Sequence, residues 1–247
     1  MEPGRQFGGV RFGPPATPSV IKWLVAANAV VFLLQAFSRN ALLELSIIPE
    51  LIFEHGWFWQ PFTYMWLHDP NGILHILLNM FVLWMFGSPV ALRFGTVRFL
   101  RFYLLCGIGS GLLVAIWPAV PVLFGWGVPR EYVTPTLGAS GAVFGVLLAY
   151  SLLWPNNTIL LLFPPIPMRA IYFVPMLFLV EWLLGPKNVS HVGHLGGVIM
   201  GWILVRRMQR RWVLPRWRDL RDRWLAWRAR RRFKIERFDD RDHPFGR

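Results

Sequence analysis

The chain has 247 residues, of which 55% are hydrophobic and 16% aromatic, with a formal net charge of +13. The apolar residues are concentrated in blocks about as long as a bilayer is thick, roughly 20 residues each, which favours a polytopic membrane protein over a soluble one. The single cysteine, Cys106, excludes an intrachain disulfide and a zinc-finger framework.

The chain begins with a segment, residues 1–19, that is rich in glycine and proline and lacks the charged start, short apolar core and cleavage site of a secretory signal. We expect it to be a disordered cytoplasmic segment. Six mostly apolar runs follow and predict an all-α bundle of six transmembrane helices within residues 20–205. The runs are residues 20–37, 73–92, 99–117, 137–154, 166–184 and 189–205.

The first connection between these runs, residues 38–72, is long and contains glutamates, prolines and several tryptophans. We expect it to lie in the membrane interface on the outer side. An alternative is that residues 42–53 contribute to a seventh span, but the glutamates and prolines would make its insertion costly.

Positive charge orients the predicted spans. Six crossings place both termini on one side, and most arginines and lysines before residue 206 fall in the connections on that side, which predicts that both termini are cytoplasmic. These residues are Arg5, Arg11, Lys22, Arg93, Arg98, Arg101 and Arg169. The small size of the chain suggests a prokaryotic plasma membrane.

The C-terminal segment, residues 206–247, contains 16 Lys or Arg against 6 Asp or Glu, and so contributes +10 of the net charge. Tryptophans are interleaved with these arginines: Trp212, Trp217, Trp224 and Trp227. This composition favours binding to anionic lipid headgroups over binding to nucleic acid.

Four polar residues occur near the starts of predicted spans two, four and six, namely His75, Asn79, Ser140 and His194. With a cytoplasmic N-terminus, all three spans enter from the outer face, so these residues are expected at similar depth. Polar groups at membrane depth are costly and mark functional sites. A serine and a histidine together suggest a nucleophile and its base, hence hydrolysis within the membrane.

Small residues repeat every four positions on spans four and six, a pattern typical of close helix packing. The residues are Gly141, Gly145 and Ala149 on one span and Gly193, Gly197 and Gly201 on the other. Packing along these faces would bring Ser140 within hydrogen-bond reach of His194. Asn79 follows His75 by four residues, so both share a helix face and could donate hydrogen bonds to an oxyanion together with the Ser140 amide.

Three separated motifs therefore carry the chemistry: His-Ile-Leu-Leu-Asn at 75–79, Gly-Ala-Ser-Gly at 138–141 and Gly-His-Leu-Gly-Gly at 193–197. Over roughly residues 20–205, the chain resembles the rhomboid intramembrane serine proteases. Two positions differ from the pattern of many members: Gln60 follows Trp59 where some have arginine, and Phe144 replaces a tyrosine.

The resemblance implies an intramembrane serine endopeptidase with a Ser140 nucleophile and a His194 general base. It also implies an oxyanion hole formed by His75, Asn79 and the Ser140 amide, a half-embedded first outer loop, and transmembrane segments of other proteins as substrates. No metal or organic cofactor is implied, and the oligomeric state remains open.

Several alternatives compete with this reading. The chain could be an inactive relative that binds membrane helices for quality control, or a transporter with a polar pathway. A metal site of His191, His194 and Glu181 is disfavoured because no His-Glu-x-x-His motif is present. Glu181 could orient His194, but we assign it to the interface, reaching water, and leave it outside the site. His68 is expected to organise the loop.

Overall fold

The computed structural model describes residues 13–35, 37, 39–160, 166–184 and 190–213. The described chain is mostly helical. Its longer helices are α1 (Ser19–Gln35), α5 (Ile73–Val82), α7 (Thr96–Leu123), α9 (Ser140–Leu153), α10 (Phe173–Leu184) and α11 (His191–Val213). Its short ones are α2 (Arg39–Leu45), α3 (Pro49–His55), α4 (Gln60–Thr63), α6 (Ser88–Phe94) and α8 (Arg130–Val133). Two short strands, β1 (Thr158–Leu160) and β2 (Pro167–Arg169), pair antiparallel.

The chain divides into two units, Met1–Val205 and Arg206–Arg247, and the site described below lies within the first. The basic tail after Val213 and the first twelve residues lie outside the described part of the chain. Within the predicted N-terminal lead-in, the Thr17 hydroxyl accepts a hydrogen bond of 2.9 Å from the Trp84 indole N–H.

Every one of the six predicted apolar runs contains a helix. Two helical stretches, Ile73–Phe94 with 22 residues and Thr96–Leu123 with 28, are by themselves long and apolar enough to cross a membrane. Shorter apolar helices cover the first, fourth and fifth runs. The six-span count therefore stays a prediction, whereas an apolar, mostly helical architecture is observed.

The fifth run begins differently from the prediction. Residues 167–169 form β2, paired with β1, and residues 170–172 make one 3₁₀ turn before α10 begins at Phe173. Pro167 accounts for part of this difference, because proline is disfavoured inside a helix and restricts the conformation of the residue before it.

Large apolar side chains point away from the protein core. In α1, Trp23, Leu33 and Leu34 are 74%, 64% and 61% exposed. Exposed apolar surface on this scale is unusual for a soluble protein and suits contact with lipid.

The stretch from α5 to α6 is one continuous helical segment with a π-helical turn at Leu83–Gly87. Pro89, which has no backbone N–H, follows this turn at the start of α6. The Ser88 hydroxyl donates to the Trp84 carbonyl at 2.6 Å, which gives this turn an additional hydrogen bond.

The first connection is built from short helices, so the alternative of a seventh span is wrong. α2 and α3 have seven residues each and are separated at Ile47, which pairs with Thr136 in an isolated β-bridge. A span needs about 20 residues. Gly56 ends α3 in the left-handed conformation, with φ of 73°, which glycine adopts at little cost.

Gln60 anchors this connection. Its side chain is fully buried; the oxygen accepts from the Ile48 N–H at 2.9 Å, and the amide donates to the Leu43 and Glu44 carbonyls at 3.4 Å each. The Tyr64 hydroxyl ties the connection to α7 by donating to the Gly107 carbonyl at 2.8 Å. Gln60, which stands where some members of the resembled family have arginine, therefore has a structural role.

Candidate active site

Ser140 is the first residue of α9, and a tight turn precedes it. Gly138 in this turn has a φ of +129°, a conformation that other L-residues rarely adopt. A Cβ atom added to Gly138 would lie 3.0 Å from Nε2 of His75 and 3.8 Å from Oγ of Ser140. The glycine therefore leaves the space beside the serine open and allows the His75 ring to approach it.

The predicted glycine faces of α9 and α11 are in contact, which confirms that prediction. A Cβ on Gly197 would overlap the carbonyl oxygen of Gly141, and a Cβ on Gly201 would lie 3.0 Å from the Cα and carbonyl oxygen of Gly145. At these points backbone meets backbone, and no side chain can move aside to admit a methyl group. The helices are thus held closer than alanine would permit.

A third helix, α7, fixes the start of α11 against this pair. The Ser110 hydroxyl is buried and donates a 2.6 Å hydrogen bond to the carbonyl of Gly193. A Cβ on Gly196 would lie 2.8 Å from the Ser110 Cα. Backbone packing and one short hydrogen bond therefore set the position of the residue that follows Gly193, which is His194.

The predicted nucleophile and base are brought together. Nε2 of His194 lies 2.8 Å from Oγ of Ser140, a normal length for a hydrogen bond from a hydroxyl. His194 is buried, and its ring stacks on Phe144, with ring centroids 4.2 Å apart and planes 14° apart. Phe144 therefore provides an aromatic contact to His194 but no hydroxyl.

Glu181 also reaches this histidine, whereas the sequence predicts its carboxylate at the interface, reaching water. Both carboxylate oxygens lie 2.8 Å from Nδ1 of His194. Its side chain is only 15% exposed, because it points toward α11 instead of toward water. A second histidine, His191, approaches the same carboxylate at 3.4 Å but is 44% exposed. The sequence did contain a hint: Glu181 is an acidic residue inside an apolar run, where a charge needs a partner.

His75 is oriented by a backbone contact as well as by Gly138. The Asp69 backbone nitrogen lies 3.5 Å from Nδ1 of His75, and donation there would place the ring proton on Nε2, the nitrogen beside Gly138. This arrangement fits the predicted role of His75 as a hydrogen-bond donor.

Asn79 is buried on the same helix, one turn later. Its amide nitrogen donates to the His75 carbonyl at 2.8 Å, a bond within α5. An amide has two N–H donors, and this bond occupies only one of them. The structure thus places Asn79 beneath His75, and its role toward an oxyanion stays a prediction.

His68, from the end of the first connection, supports His75. It is fully buried, and its ring meets the His75 ring edge-on at 5.1 Å between centroids. Burial, followed by the nearby His75, lowers the pKa of His68 to about 3. His68 therefore remains neutral near pH 7 and packs as an uncharged ring.

The family model for the Rhomboid domain matches residues 55–211, which include Ser140, His194, His75 and Asn79. This match covers more than half of the chain. The chain belongs to the rhomboid family.

Individual relatives agree with this assignment. The rhomboid chain is 36% identical over 132 residues to "Rhomboid protein 1, mitochondrial" of Saccharomyces cerevisiae, covering 51% of the chain and 36% of the relative. It is 31% identical over 202 residues to "RHOMBOID-like protein 12, mitochondrial" of Arabidopsis thaliana, covering 77% and 59%. It is 25% identical over 193 residues to "Presenilin-associated rhomboid-like protein, mitochondrial" of Homo sapiens, covering 72% and 45%.

The match spans less than two thirds of the length of each of these relatives. All three are named as mitochondrial proteins. Their names contradict the expected prokaryotic plasma membrane, which was inferred from the size of the chain alone, and point to a mitochondrial membrane instead. The expected cytoplasmic location of both termini is therefore also withdrawn. That the two termini lie on the same side of the membrane stays a prediction.

Proposed function

We propose that this rhomboid protein is an intramembrane serine endopeptidase that cleaves transmembrane segments of other proteins. The observation that carries the proposal is the 2.8 Å contact between the Ser140 hydroxyl and the His194 imidazole, which two touching helices hold in place. A serine within hydrogen-bond reach of an oriented histidine is the arrangement of an activated nucleophile.

In the proposed reaction, Nε2 of His194 takes the hydroxyl proton while Oγ of Ser140 attacks the carbonyl carbon of the scissile peptide bond. The resulting oxyanion collapses, the C–N bond breaks, and the leaving amine takes the proton from Nε2. A water molecule then attacks the acyl-enzyme, with His194 again acting as base, and releases the second fragment and the free Ser140.

The oxyanion needs hydrogen-bond donors near Ser140, and three are proposed. The Ser140 N–H opens α9, so it has no partner within that helix. The Nε2–H of His75 lies beside Gly138. The second amide hydrogen of Asn79 is the third. Such donors stabilise charge that develops in the transition state.

The proposed setting is a mitochondrial membrane, with substrate helices reaching the site from the lipid. The short helices of residues 39–66 are proposed to lie in the interface, and the basic tail of residues 206–247 to contact anionic headgroups. These proposals are supported by the family, the exposed apolar faces and the tail's composition.

The test uses the purified full chain in detergent micelles with a fluorescently labelled single-pass membrane protein as substrate. We expect the wild type to cleave it, and Ser140→Ala and His194→Ala each to abolish cleavage. The unfolding midpoint of Ser140→Ala should stay near that of the wild type, because only one hydroxyl is removed. Ser151→Ala is the matched control, because this buried serine of α9 donates to the Leu147 carbonyl within its own helix. It should cleave normally.

A serine-directed fluorophosphonate probe supplies a second readout, independent of the substrate. It should modify Ser140, and peptide mapping would identify the site. Cleavage that survives Ser140→Ala would refute the proposal. A wild type that binds membrane helices but neither cleaves them nor reacts with the probe would instead support an inactive rhomboid-like protein.

A further inference from the structure

We infer that Glu181 is a positioning residue that holds His194 in its reactive tautomer and stabilises its protonated form, so that the site operates as a Ser-His-Glu triad. This inference rests on the proposed function and extends it from two side chains to three. Glutamate is an established third member of such triads on other folds.

The first argument is geometric. Both carboxylate oxygens of Glu181 are 2.8 Å from Nδ1 of His194, while Nε2 on the opposite side of the ring is 2.8 Å from Oγ of Ser140. An ionised carboxylate only accepts hydrogen bonds, so Nδ1 carries the ring proton. Nε2 is then unprotonated and faces the hydroxyl whose proton it must accept.

The second argument concerns the surroundings. The side chains of His194 and Glu181 are 8% and 15% exposed. The ring of Phe144 stacks on His194, and the ring of Phe178 packs on Phe144. A shielded ionic hydrogen bond is stronger than one in water. The carboxylate is therefore placed to stabilise the imidazolium that forms during attack.

His191 offers a competing explanation for Glu181, because it also approaches the carboxylate. Its Nδ1 is 3.4 Å from the carboxylate, longer than the usual range of about 2.7–3.2 Å for such bonds. Its side chain is 44% exposed, and water can satisfy it. The shorter and better-buried contact is that with His194, so the carboxylate serves His194 first.

The proposal predicts different cleavage activities for three variants. Glu181→Gln keeps the shape but removes the charge, and we expect kcat to fall by about 10²- to 10⁴-fold with little change in KM, since the lost interaction acts in the transition state. Glu181→Asp retains the carboxylate and should recover at least tenfold of the activity lost in Glu181→Gln. His191→Ala is the matched control and should cleave at close to the wild-type rate.

A spectroscopic measurement on the unmutated chain tests the inference without relying on the activity of any variant. With ¹⁵N-labelled histidine in micelles, the ring-nitrogen shifts of His194, assigned by comparison with His194→Ala, should show the resting proton on Nδ1. In Glu181→Gln the shifts should change toward a mixture of tautomers. A resting proton on Nε2 in the wild type would overturn the inference.

The two proposals fail in different ways. If Ser140→Ala still cleaves, the proposed protease function is wrong. If Ser140→Ala is inactive but Glu181→Gln retains the wild-type kcat, the protease stands and the role of Glu181 is refuted. If His191→Ala loses as much activity as Glu181→Gln, the carboxylate acts through His191, which also refutes it.

Discussion

Gly197→Ala tests whether backbone contact between α9 and α11 sets the distance between Ser140 and His194. The added Cβ would overlap the carbonyl oxygen of Gly141. Ordinary contacts of a Cβ atom begin at 3.4 Å, and a backbone carbonyl inside a helix cannot turn away as a side chain can. The two helices must therefore separate or slide at the turn next to the dyad.

The structure gives an order of magnitude for the effect. A misplacement of about 1 Å in a catalytic group costs about 10²-fold in rate, which equals about 2.7 kcal/mol in activation free energy. Overpacking a tight contact also destabilises the fold by about 1–3 kcal/mol. Gly201→Ala provides a graded comparison, because its Cβ would lie 3.0 Å from Gly145 and requires a shift of only a few tenths of an ångström.

We therefore expect Gly197→Ala to label Ser140 with the fluorophosphonate probe about 10²-fold more slowly than the wild type, and Gly201→Ala to fall between the two. Denaturant titration in micelles gives the accompanying stability change. If Gly197→Ala reacts and unfolds like the wild type, the helix contact does not control the dyad, and the reasoning from glycine packing is refuted.

Two further predictions concern the first connection. In the unfolded chain His68 takes up a proton below its ordinary pKa of 6.5, whereas in the native protein its pKa is about 3 and the ring stays neutral. The unfolding free energy should therefore fall as the pH drops from 6.5 toward 3, by about 1.4 kcal/mol per pH unit. His68→Phe should lose this part of the slope in denaturant titrations between pH 7 and 5, and an unchanged slope would contradict the burial argument. Gln60→Ala leaves the buried Ile48 N–H without its 2.9 Å acceptor and should cost about 1–3 kcal/mol. Faster limited proteolysis within residues 39–66 should accompany the loss, and a proteolysis rate equal to that of the wild type would show that Gln60 does not anchor the connection.

Much of the site could be predicted from residue spacing. Small residues four apart predicted which faces of α9 and α11 touch, and Gly141 does meet Gly197. The positions of Ser140 and His194, each adjacent to one of these stripes, followed from the same pattern. Helix periodicity fixes which residues share a face, so contacts made by backbone and short residues could be inferred without coordinates.

Other features depend on interactions that spacing does not encode. The start of the fifth run is a strand because β1 supplies a pairing partner for residues 167–169, and an apolar run alone does not distinguish a short buried strand from a helix. Gln60 could be recognised as unusual, but its bond to Ile48 depends on how the connection folds back on itself.

Glu181 shows where the limit lies. Glu181 lies 13 residues before His194, and the end of α10 and a connection separate them. Helix periodicity therefore does not relate the two side chains. What the sequence did contain was an energetic cost: a carboxylate in an apolar run must reach water or a partner. From the sequence, the carboxylate is assigned to water. In the structure it contacts His194 instead, the same histidine that contacts Ser140. For an acidic residue in an apolar segment, the titratable residues of neighbouring helices are therefore the first partners to consider. A histidine beside the carboxylate offsets its desolvation, and the carboxylate in turn can stabilise the protonated imidazole.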